Sequence, residues 1–267
     1  MESILEEYII KFGQKYGEER KQTFLNNHAS VAEIEIKGEE TWYWLERKTE
    51  GYPPKKFVNT HCFMGGNWIH QWELYPKDVL IRQFKEEICK SPREVKGEPV
   101  NEMILDELCK NIKALGDYFI HVPEEAHGNP NQKYDYDFVC SFFGTEISRD
   151  YLGSLLGLRE GFSAGKLRDE LEGVQKFQPA VLTLQDLKNG VDRQFCWGYD
   201  QLMDEYVYGR HGFHPKIKMF EGIFVRKLET SPELTYAERD TLQYCRLNPY
   251  REHADNHKLF NTPPEKH

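Results

Sequence analysis

The chain has 267 residues, of which 39% are hydrophobic and 13% aromatic, so it can bury a substantial core and is too apolar for a disordered protein. Its formal net charge of −9 argues against non-specific binding to nucleic acid or to anionic membranes, because both need a basic surface. A small phosphorylated ligand held by local cations or by a metal remains compatible with this charge.

The six cysteines stand at positions 62, 89, 109, 140, 196 and 245, without a C-x-x-C pair, so a zinc site or a thioredoxin-like motif has little support. We expect reduced, mostly buried thiols. The acidic N-terminus lacks the basic and apolar segments of a signal peptide, and no run approaches the roughly 18 apolar residues of a membrane span. These features predict a cytoplasmic protein without a membrane partner.

The first part of the chain predicts one helix followed by three strands. The helix is 1–27, and the strands are 29–36, 41–48 and 57–64. The helical spacing of the apolar residues predicts the helix, and the alternating pattern of residues 29–36 predicts the first strand. Gly38 marks the turn of a hairpin between the first two strands.

Residues 76–90 predict a helix with two distinct faces. Pro76 suits its first turn, where a missing N–H costs nothing. The apolar stripe includes Leu80, Phe84 and Ile88. Another face carries Gln83, Glu86 and Glu87. Two adjacent carboxylates can bind a divalent cation, although most amphipathic helices carry such residues on a solvated face and bind nothing.

The second part of the chain alternates between helices and strands. The helices are 102–115, 195–207 and one near 232–247, and the strands are 117–122 and 137–147. Residues 179–187 predict a strand that leads into a turn and the start of a helix. The long loop 123–136 contains Glu124 and Glu125 and is as consistent with a functional loop as with a mobile one. Residues 148–178 are polar and glycine-rich and predict an insertion or a lid.

Residues 208–222 form a basic turn that contains Arg210, His211 and His214. A metal site at the two histidines lacks an evident third ligand. A phosphate-binding patch is a second option, and a plain surface loop is the preferred interpretation.

Residues 60–90 resemble the signature of Nudix hydrolases, a glycine loop followed by a helix that reads Arg-Glu-apolar-x-Glu-Glu. Here the helix reads Arg82-Gln83-Phe84-Lys85-Glu86-Glu87, and Phe63-Met64-Gly65-Gly66 resembles the strand end and glycine pair of the family. Glu73 resembles the loop glutamate, and Arg47-Lys48 resembles the paired basic residues of a preceding strand. The departures are Gln83 in place of a glutamate, and Asn67 and Cys89 in place of glycines.

The resemblance implies a fold, whereas pattern alone indicates α+β or α/β with terminal helical additions. The implied fold is a Nudix-like α/β/α sandwich around a mixed sheet of four to six strands. We therefore expect three parts: an N-terminal helical extension 1–27, a Nudix-like domain 28–207 and a C-terminal extension 208–267.

The resemblance also implies an activity, the metal-dependent cleavage of a pyrophosphate bond in a nucleoside diphosphate linked to another group. Glu86 and Glu87 would hold Mg²⁺ or Mn²⁺, and Glu73 would add a ligand. Arg82 would orient a carboxylate, and Gly65 and Gly66 would shape the substrate-binding loop. The general base stays open among Glu86, Glu124, Glu125 and an activated water.

Two other functions stay open. One is a binding or regulatory protein that keeps the fold and has lost catalysis, because Gln83 is neutral where the family has an anion. The other is a structural or interaction protein without nucleotide chemistry. We expect a nucleotide-type small molecule as the ligand and no nucleic acid as a partner, and the oligomeric state stays open, with a homodimer among the options.

Overall fold

The computed structural model describes residues 28–52, 54–68, 73–85, 99–129, 135–156, 177–189, 194–215 and 220–239. The strands among them are β1 His28–Lys37, β2 Trp42–Lys48, β3 His61–Cys62, β4 Met64–Asn67, β5 Lys113–Val122, β6 Tyr136–Ser148, β7 Phe177–Thr183 and β8 Phe224–Lys227. The α-helices include α1 Pro76–Phe84, α2 Pro99–Lys110, α3 Glu124–His127, α4 Leu184–Asn189, α5 Tyr199–Leu202 and α6 Tyr236–Arg239. The predicted helix 1–27, Glu86, Glu87 and most of 148–178 lie outside the described residues.

The eight described strands form one mixed sheet with the order β3-β2-β1-β6-β5-β8, in which β4 also pairs with β1 and β7 with β2. The pair β1–β6 is parallel, and the other described pairs are antiparallel. Strand β1 pairs with β2 only through 34–36 and with β4 through 29–32. Beyond that point β2 pairs with β3. The segment β3–β4 therefore enters between β1 and β2 as they diverge, and this splayed end of the sheet holds the candidate site.

Alternating residues of β1 face two separate apolar clusters, as the period of a strand requires. Ile34 and Ile36 pack in a cluster with Leu80 of α1 and Leu108 of α2. Val31 packs in the opposite cluster with apolar residues of α5 and of the π-helical turn Met203–Tyr208 that continues it. Helices thus cover both faces of the sheet, and the predicted α/β/α arrangement with a mixed sheet is confirmed.

Three sequence-based predictions about the strands need correction. The sheet has eight described strands, more than the four to six expected, because the region of the predicted strand 57–64 contributes two strands, β3 and β4, and the four-residue strand β8 is too short to show a period. The predicted strand 57–64 begins only at His61, since Phe57 ends a 3₁₀ turn and fills the core. The pair Gly65–Gly66, expected in a loop, lies inside β4.

Two helices also differ in extent from their predictions. Helix α2 begins at Pro99 and ends at Lys110, because the chain from Lys113 onward pairs with β6. The predicted helix 195–207 consists of a 3₁₀ turn, α5 and the π-helical turn. None of the described helices has the length and apolar character that crossing a lipid bilayer requires.

Candidate functional site

The two glycines of β4 allow this strand to lie close to its neighbours on both sides. Gly65 has φ +154°, and a Cβ added there would lie 2.7 Å from the Cα of Val31. A Cβ added to Gly66 would lie 2.6 Å from Nε2 of Gln83 on α1. Any side chain at these positions would push β4 away from β1 or α1. Gln83, the departure from the family's glutamate, thus packs against the glycine pair.

Arg82 holds the carboxylate of Glu73, as the resemblance implies. Its Nε donates to Oε1 of Glu73 at 2.6 Å, and its Nη2 donates to the backbone oxygen of Asn67 at 2.7 Å. Glu73 is only 2% exposed, so the guanidinium compensates a buried charge. One arginine therefore ties the end of β4, the loop residue and helix α1 together.

The described residues do not by themselves form a metal site. No group of three or more His, Cys, Asp or Glu side chains within the described ranges is placed to hold a metal ion. Of the predicted ligands, only Glu73 is described, and one of its oxygens accepts the bond from Arg82. Glu86 and Glu87 would have to supply the remaining ligands, so their role stays a prediction.

A cavity of about 230 Å³ opens at the splayed end of the sheet, next to the glycine pair. We call it the lysine cavity. Its lining includes Lys48, Tyr52, Cys62, Tyr136, Phe138 and Trp197. Gly65 and Gly66 also line it. Of the described residues in this lining, Lys48 alone belongs to the basic or carboxylic residue types.

The charge of Lys48 is held by weakly acidic neighbours. Burial lowers the pKa of its ammonium group, but electrostatic interactions with Cys62, followed by those with Tyr52, Cys196 and Glu46, more than offset burial and raise the pKa well above its ordinary value. The ammonium nitrogen also lies 4.4 Å from the ring centre of Tyr52. The cavity therefore contains a fixed positive charge at neutral pH.

Aromatic rings form part of the wall of the lysine cavity. Trp197 has the left-handed backbone conformation φ 59°, ψ 19°, and its Nε1 donates to the hydroxyl of Tyr52 at 3.0 Å. The ring of Tyr136 meets Trp197 edge-on at 5.1 Å between centres. This interlocking fixes the position of the indole, which gives the cavity a rigid apolar surface for a planar ring.

Glu124 and Glu125, the other candidate bases, lie in α3 at the end of β5. The backbone N–H of Glu124 donates to Oδ1 of Asp135 at 2.8 Å, and the backbone oxygen of Glu125 accepts from Lys56. Neither glutamate belongs to the described lining of the lysine cavity. The register of β6 beside β1 places this loop at the same end of the sheet as the glycine pair, whereas Arg82 donates to Glu73 and to Asn67.

The basic turn near Arg210 is not a plain surface loop. Arg210 donates through Nη2 to Oε2 of Glu33 at 2.7 Å and through Nη1 to Glu35, both on β1. The hydroxyl of Tyr43 contacts Nε2 of His211. His214 bonds instead to Asp204 at 2.9 Å, so the two histidines have separate partners.

A second cavity of about 270 Å³ surrounds these carboxylates, and we call it the carboxylate cavity. Glu33 is 2% exposed, and burial raises its pKa to about 7 even though the charge and hydrogen bond of Arg210 oppose that shift. Burial, followed by the charges of Arg210 and Lys188, lowers the pKa of His211. Sequence analysis missed both cavities, although the pair Arg47–Lys48 was a partial signal for the first.

No family model and no curated protein matches the sequence. Solved structures of Nudix and MutT family proteins are among the structural neighbours, at low identity and low TM-score. A structure of Shewanella oneidensis NrtR with a 27mer DNA is 12% identical over 68% of this chain, with a TM-score of 0.40. The match spans only 61% of that NrtR chain.

Two further neighbours carry other ligands. The NUDIX domain of S. oneidensis NrtR with ADP ribose is 12% identical, and the match covers 74% of this chain and 92% of that one, with a TM-score of 0.37. The T. brucei MERS1–RNA complex is 13% identical, and the match covers 68% of this chain and 55% of that one, with a TM-score of 0.35.

The DNA and RNA in two of these structures contradict the expectation that nucleic acid is not a partner. That expectation came from the net charge of −9, which is a property of the whole chain. A net charge does not exclude a locally basic surface. We therefore withdraw the exclusion.

Proposed function

We propose that the protein is a Nudix-like protein that binds a nucleoside diphosphate-type ligand in the lysine cavity. The observation that carries the proposal is the cavity itself, in which the half-buried Lys48 and several aromatic side chains line one space beside the glycine pair of β4. A cation and a planar apolar surface are the two features that recognise a phosphate and a base.

The size of the cavity limits what part of a ligand it encloses. Ligand pockets for drug-sized molecules are typically about 300 to 1,000 Å³, and this cavity has about 230 Å³. It therefore suits one ring system with its nearest phosphate, and the remainder of a larger ligand would extend through the mouth. Rigid walls favour such binding because little side-chain entropy is lost.

Titration calorimetry with a graded ligand series tests this proposal. The series is adenosine, ADP, ADP-ribose and NAD, with short DNA and RNA duplexes beside them because the exclusion of nucleic acid has been withdrawn. We expect ADP and ADP-ribose to bind and adenosine to bind at least tenfold more weakly, since only the phosphates meet Lys48. Equal binding of adenosine and ADP, or no binding in the series, would refute the proposal.

A second candidate function is Mg²⁺- or Mn²⁺-dependent cleavage of a pyrophosphate bond in such a ligand. The observation that favours it is the buried pair Arg82–Glu73, which holds a carboxylate at the start of helix α1. In this candidate Glu86 and Glu87 would join Glu73 as metal ligands, and Glu124 or Glu125 would be alternatives to Glu86 as the base. Each of these roles is part of the proposal.

A hydrolysis screen with and without Mg²⁺ or Mn²⁺ tests the second candidate. A Glu86→Gln/Glu87→Gln variant is compared with Glu102→Gln, which removes an exposed carboxylate from α2. Metal-dependent turnover that only the double variant loses would support hydrolysis. If the wild-type protein binds the ligand but does not hydrolyse it, only the binding function is supported.

A further inference from the structure

Cys62 and Cys196 lie side by side although they are far apart in sequence. His61 and Phe195 form an isolated parallel bridge, and the N–H of His61 donates to the oxygen of Gln194 at 2.8 Å. Because the two segments run in the same direction, the next residue of each segment is one of the two cysteines. Paired strands are about 4.8 Å apart, within the roughly 4.4–6.8 Å between Cα atoms that a disulfide spans.

Both thiols are free, and they contact each other. Cys62 is 2% exposed and Cys196 is 0% exposed, and their side chains are hydrogen-bonded. Cys62 is also one of the residues that line the lysine cavity, whereas Cys196 is not. A small reagent that enters the cavity therefore approaches Cys62 before Cys196.

The electrostatic environment distinguishes the two sulfurs. Burial raises the pKa of the Cys62 thiol, but the hydrogen bond from Cys196 and the charge of Lys48 outweigh burial, so its pKa is lowered from the ordinary value. Burial raises the pKa of Cys196 well above its ordinary value, and the neighbouring Cys62 raises it further. Cys62 is thus the more acidic thiol of the pair, and Cys196 is the less acidic partner.

We infer that Cys62 and Cys196 form an oxidisable dithiol in the wall of the lysine cavity, a modification site for small hydroperoxides such as hydrogen peroxide. The inference rests on the bridge, on the contact between the thiols and on the opening of Cys62 to the cavity. It does not depend on which ligand the cavity binds, because the chemistry belongs to the two sulfurs.

The reaction balances with one peroxide per pair. The Cys62 thiolate attacks one oxygen of hydrogen peroxide, the O–O bond breaks, and the leaving hydroxide takes a proton to become water. The sulfur of Cys196 then attacks the sulfenic sulfur of Cys62, forms the S–S bond and releases a second water. The two thiols lose two electrons, and the peroxide is reduced to two molecules of water.

Cys109 provides a matched control within the same protein. It is more exposed than either member of the pair, and burial, the largest influence on it, raises its pKa above the ordinary value. If exposure decided reactivity, Cys109 would react first. If the Lys48 charge and the neighbouring thiol decide it, Cys62 reacts first.

The test treats the reduced full-length protein with limiting hydrogen peroxide, blocks the remaining thiols with iodoacetamide and identifies the peptides by mass spectrometry. We expect a Cys62–Cys196 cross-linked peptide to form while Cys109 stays available to iodoacetamide. Oxidation of Cys109 before Cys62, or no Cys62–Cys196 peptide at full conversion, would overturn the inference. Peptide identification also separates Cys89 and Cys245 from the pair.

A kinetic comparison supplies a second, independent readout. Lys48→Met removes the charge beside Cys62, and we expect the alkylation rate of Cys62 to fall at least fivefold while that of Cys109 stays unchanged. An unchanged Cys62 rate would count against the inference. Should Lys48→Met fail to fold, phenylarsine oxide on the wild-type protein replaces it: protection of both Cys62 and Cys196 by one equivalent supports a dithiol, and protection of neither overturns it.

Discussion

The lysine cavity and the carboxylate cavity lie on the same face of the sheet, but the positive charge in each cavity has different kinds of neighbours. Val31 of β1 lines the first cavity, and Glu33, the next residue on that face, lines the second. In the first, the ammonium group of Lys48 interacts mainly with thiols and a phenol, which are weak acids, and least with the carboxylate of Glu46. In the second, Arg210 is paired with two glutamates, Glu35 and Glu33, and burial raises the pKa of Glu33 to about 7.

This difference indicates which cavity can receive an anion. The positive charge of Arg210 is already balanced by Glu33 and Glu35, so a phosphate there would meet negative charge. The pKa of Lys48 is raised mainly by Cys62 and Tyr52, which are neutral at their ordinary pKa values, and least by Glu46. A phosphate beside Lys48 would therefore meet less negative charge than one beside Arg210, and the ion pairs of the carboxylate cavity hold the turn at Arg210 to β1.

The largest expected effect comes from filling the glycine strand beside the lysine cavity. Gly65→Ala would place a Cβ against the backbone of Ser30 and Val31 at a φ of +154°, which should lower the free energy of unfolding by about 3 kcal/mol or more. Urea unfolding measures the change. Gly153→Ala is the control, because nothing lies within 4 Å of its added Cβ, and its helical position predicts a stabilisation of about 1 kcal/mol or less. Similar changes in the free energy of unfolding for both variants would show that β4 does not need a glycine at position 65.

The second-largest effect is expected from replacing an arginine, Arg82 in one variant and Arg210 in the other. Arg82→Met leaves the buried Glu73 without its guanidinium and should cost about 3 kcal/mol of unfolding free energy, at the lower end for a broken buried pair. Arg210→Met should cost about 1 kcal/mol at pH 7, because Glu33 can take up a proton once the arginine is gone. Denaturant unfolding of both variants at pH 7 decides this order, and a larger loss for Arg210→Met would contradict it.

The third effect is a pH dependence located in the carboxylate cavity. Burial raises the pKa of Glu33 to about 7 from 4.5, so between these pH values the folded protein keeps a proton that the unfolded chain has lost. Stability contributed by this group is therefore complete below pH 4.5 and is lost as the pH rises to about 7. A shift of this size corresponds to about 3 kcal/mol.

Glu33→Gln should abolish that part of the pH dependence. The difference in unfolding free energy between the wild-type protein and this variant, measured at pH 5 and at pH 8, should change by about 2 to 3 kcal/mol in favour of the variant at pH 8. The pH-dependent contributions of the neighbouring groups Arg210, Glu35, Tyr43 and His211 occur in both proteins, so they cancel in this difference. A difference that stays constant with pH would show that Glu33 is ionised throughout this range.

Sequence reasoning identified the parts of the molecule that depend on local patterns. The strands β1, β2 and β6 follow from alternation and from strand-forming residues, and the layered fold follows from their combination with helices. The resemblance of one short stretch to a known signature predicted that Arg82 would orient a carboxylate, but it did not identify that carboxylate as Glu73. The catalytic role of Arg82 stays a prediction.

The parts that were missed depend on contacts between distant segments. The adjacency of Cys62 and Cys196 arises from a single bridge between two segments that no local period connects. The burial of Lys48 arises because β3 and β4 enter beside the end of β2, which a strand pattern does not reveal. The ion pairs of Arg210 with Glu33 and Glu35 followed from no pattern, since alternation places both glutamates on the polar face of β1 but does not show which residue meets them.

The smallest expected effect distinguishes the two cavities most directly, because one lysine is replaced in each cavity. Lys48→Met removes the only basic side chain of the described lining of the lysine cavity, and Lys113→Met removes an exposed lysine at the carboxylate cavity. We expect the first variant to weaken ADP binding about tenfold, which corresponds to about 1.4 kcal/mol, because one charge-assisted hydrogen bond is lost. The second should leave the affinity unchanged within about twofold, since its net surroundings are acidic. Titration calorimetry at pH 7 measures both. A tenfold loss of ADP affinity with Lys113→Met would indicate instead that ADP binds in the carboxylate cavity. Binding there would have to overcome the charges of Glu33 and Glu35.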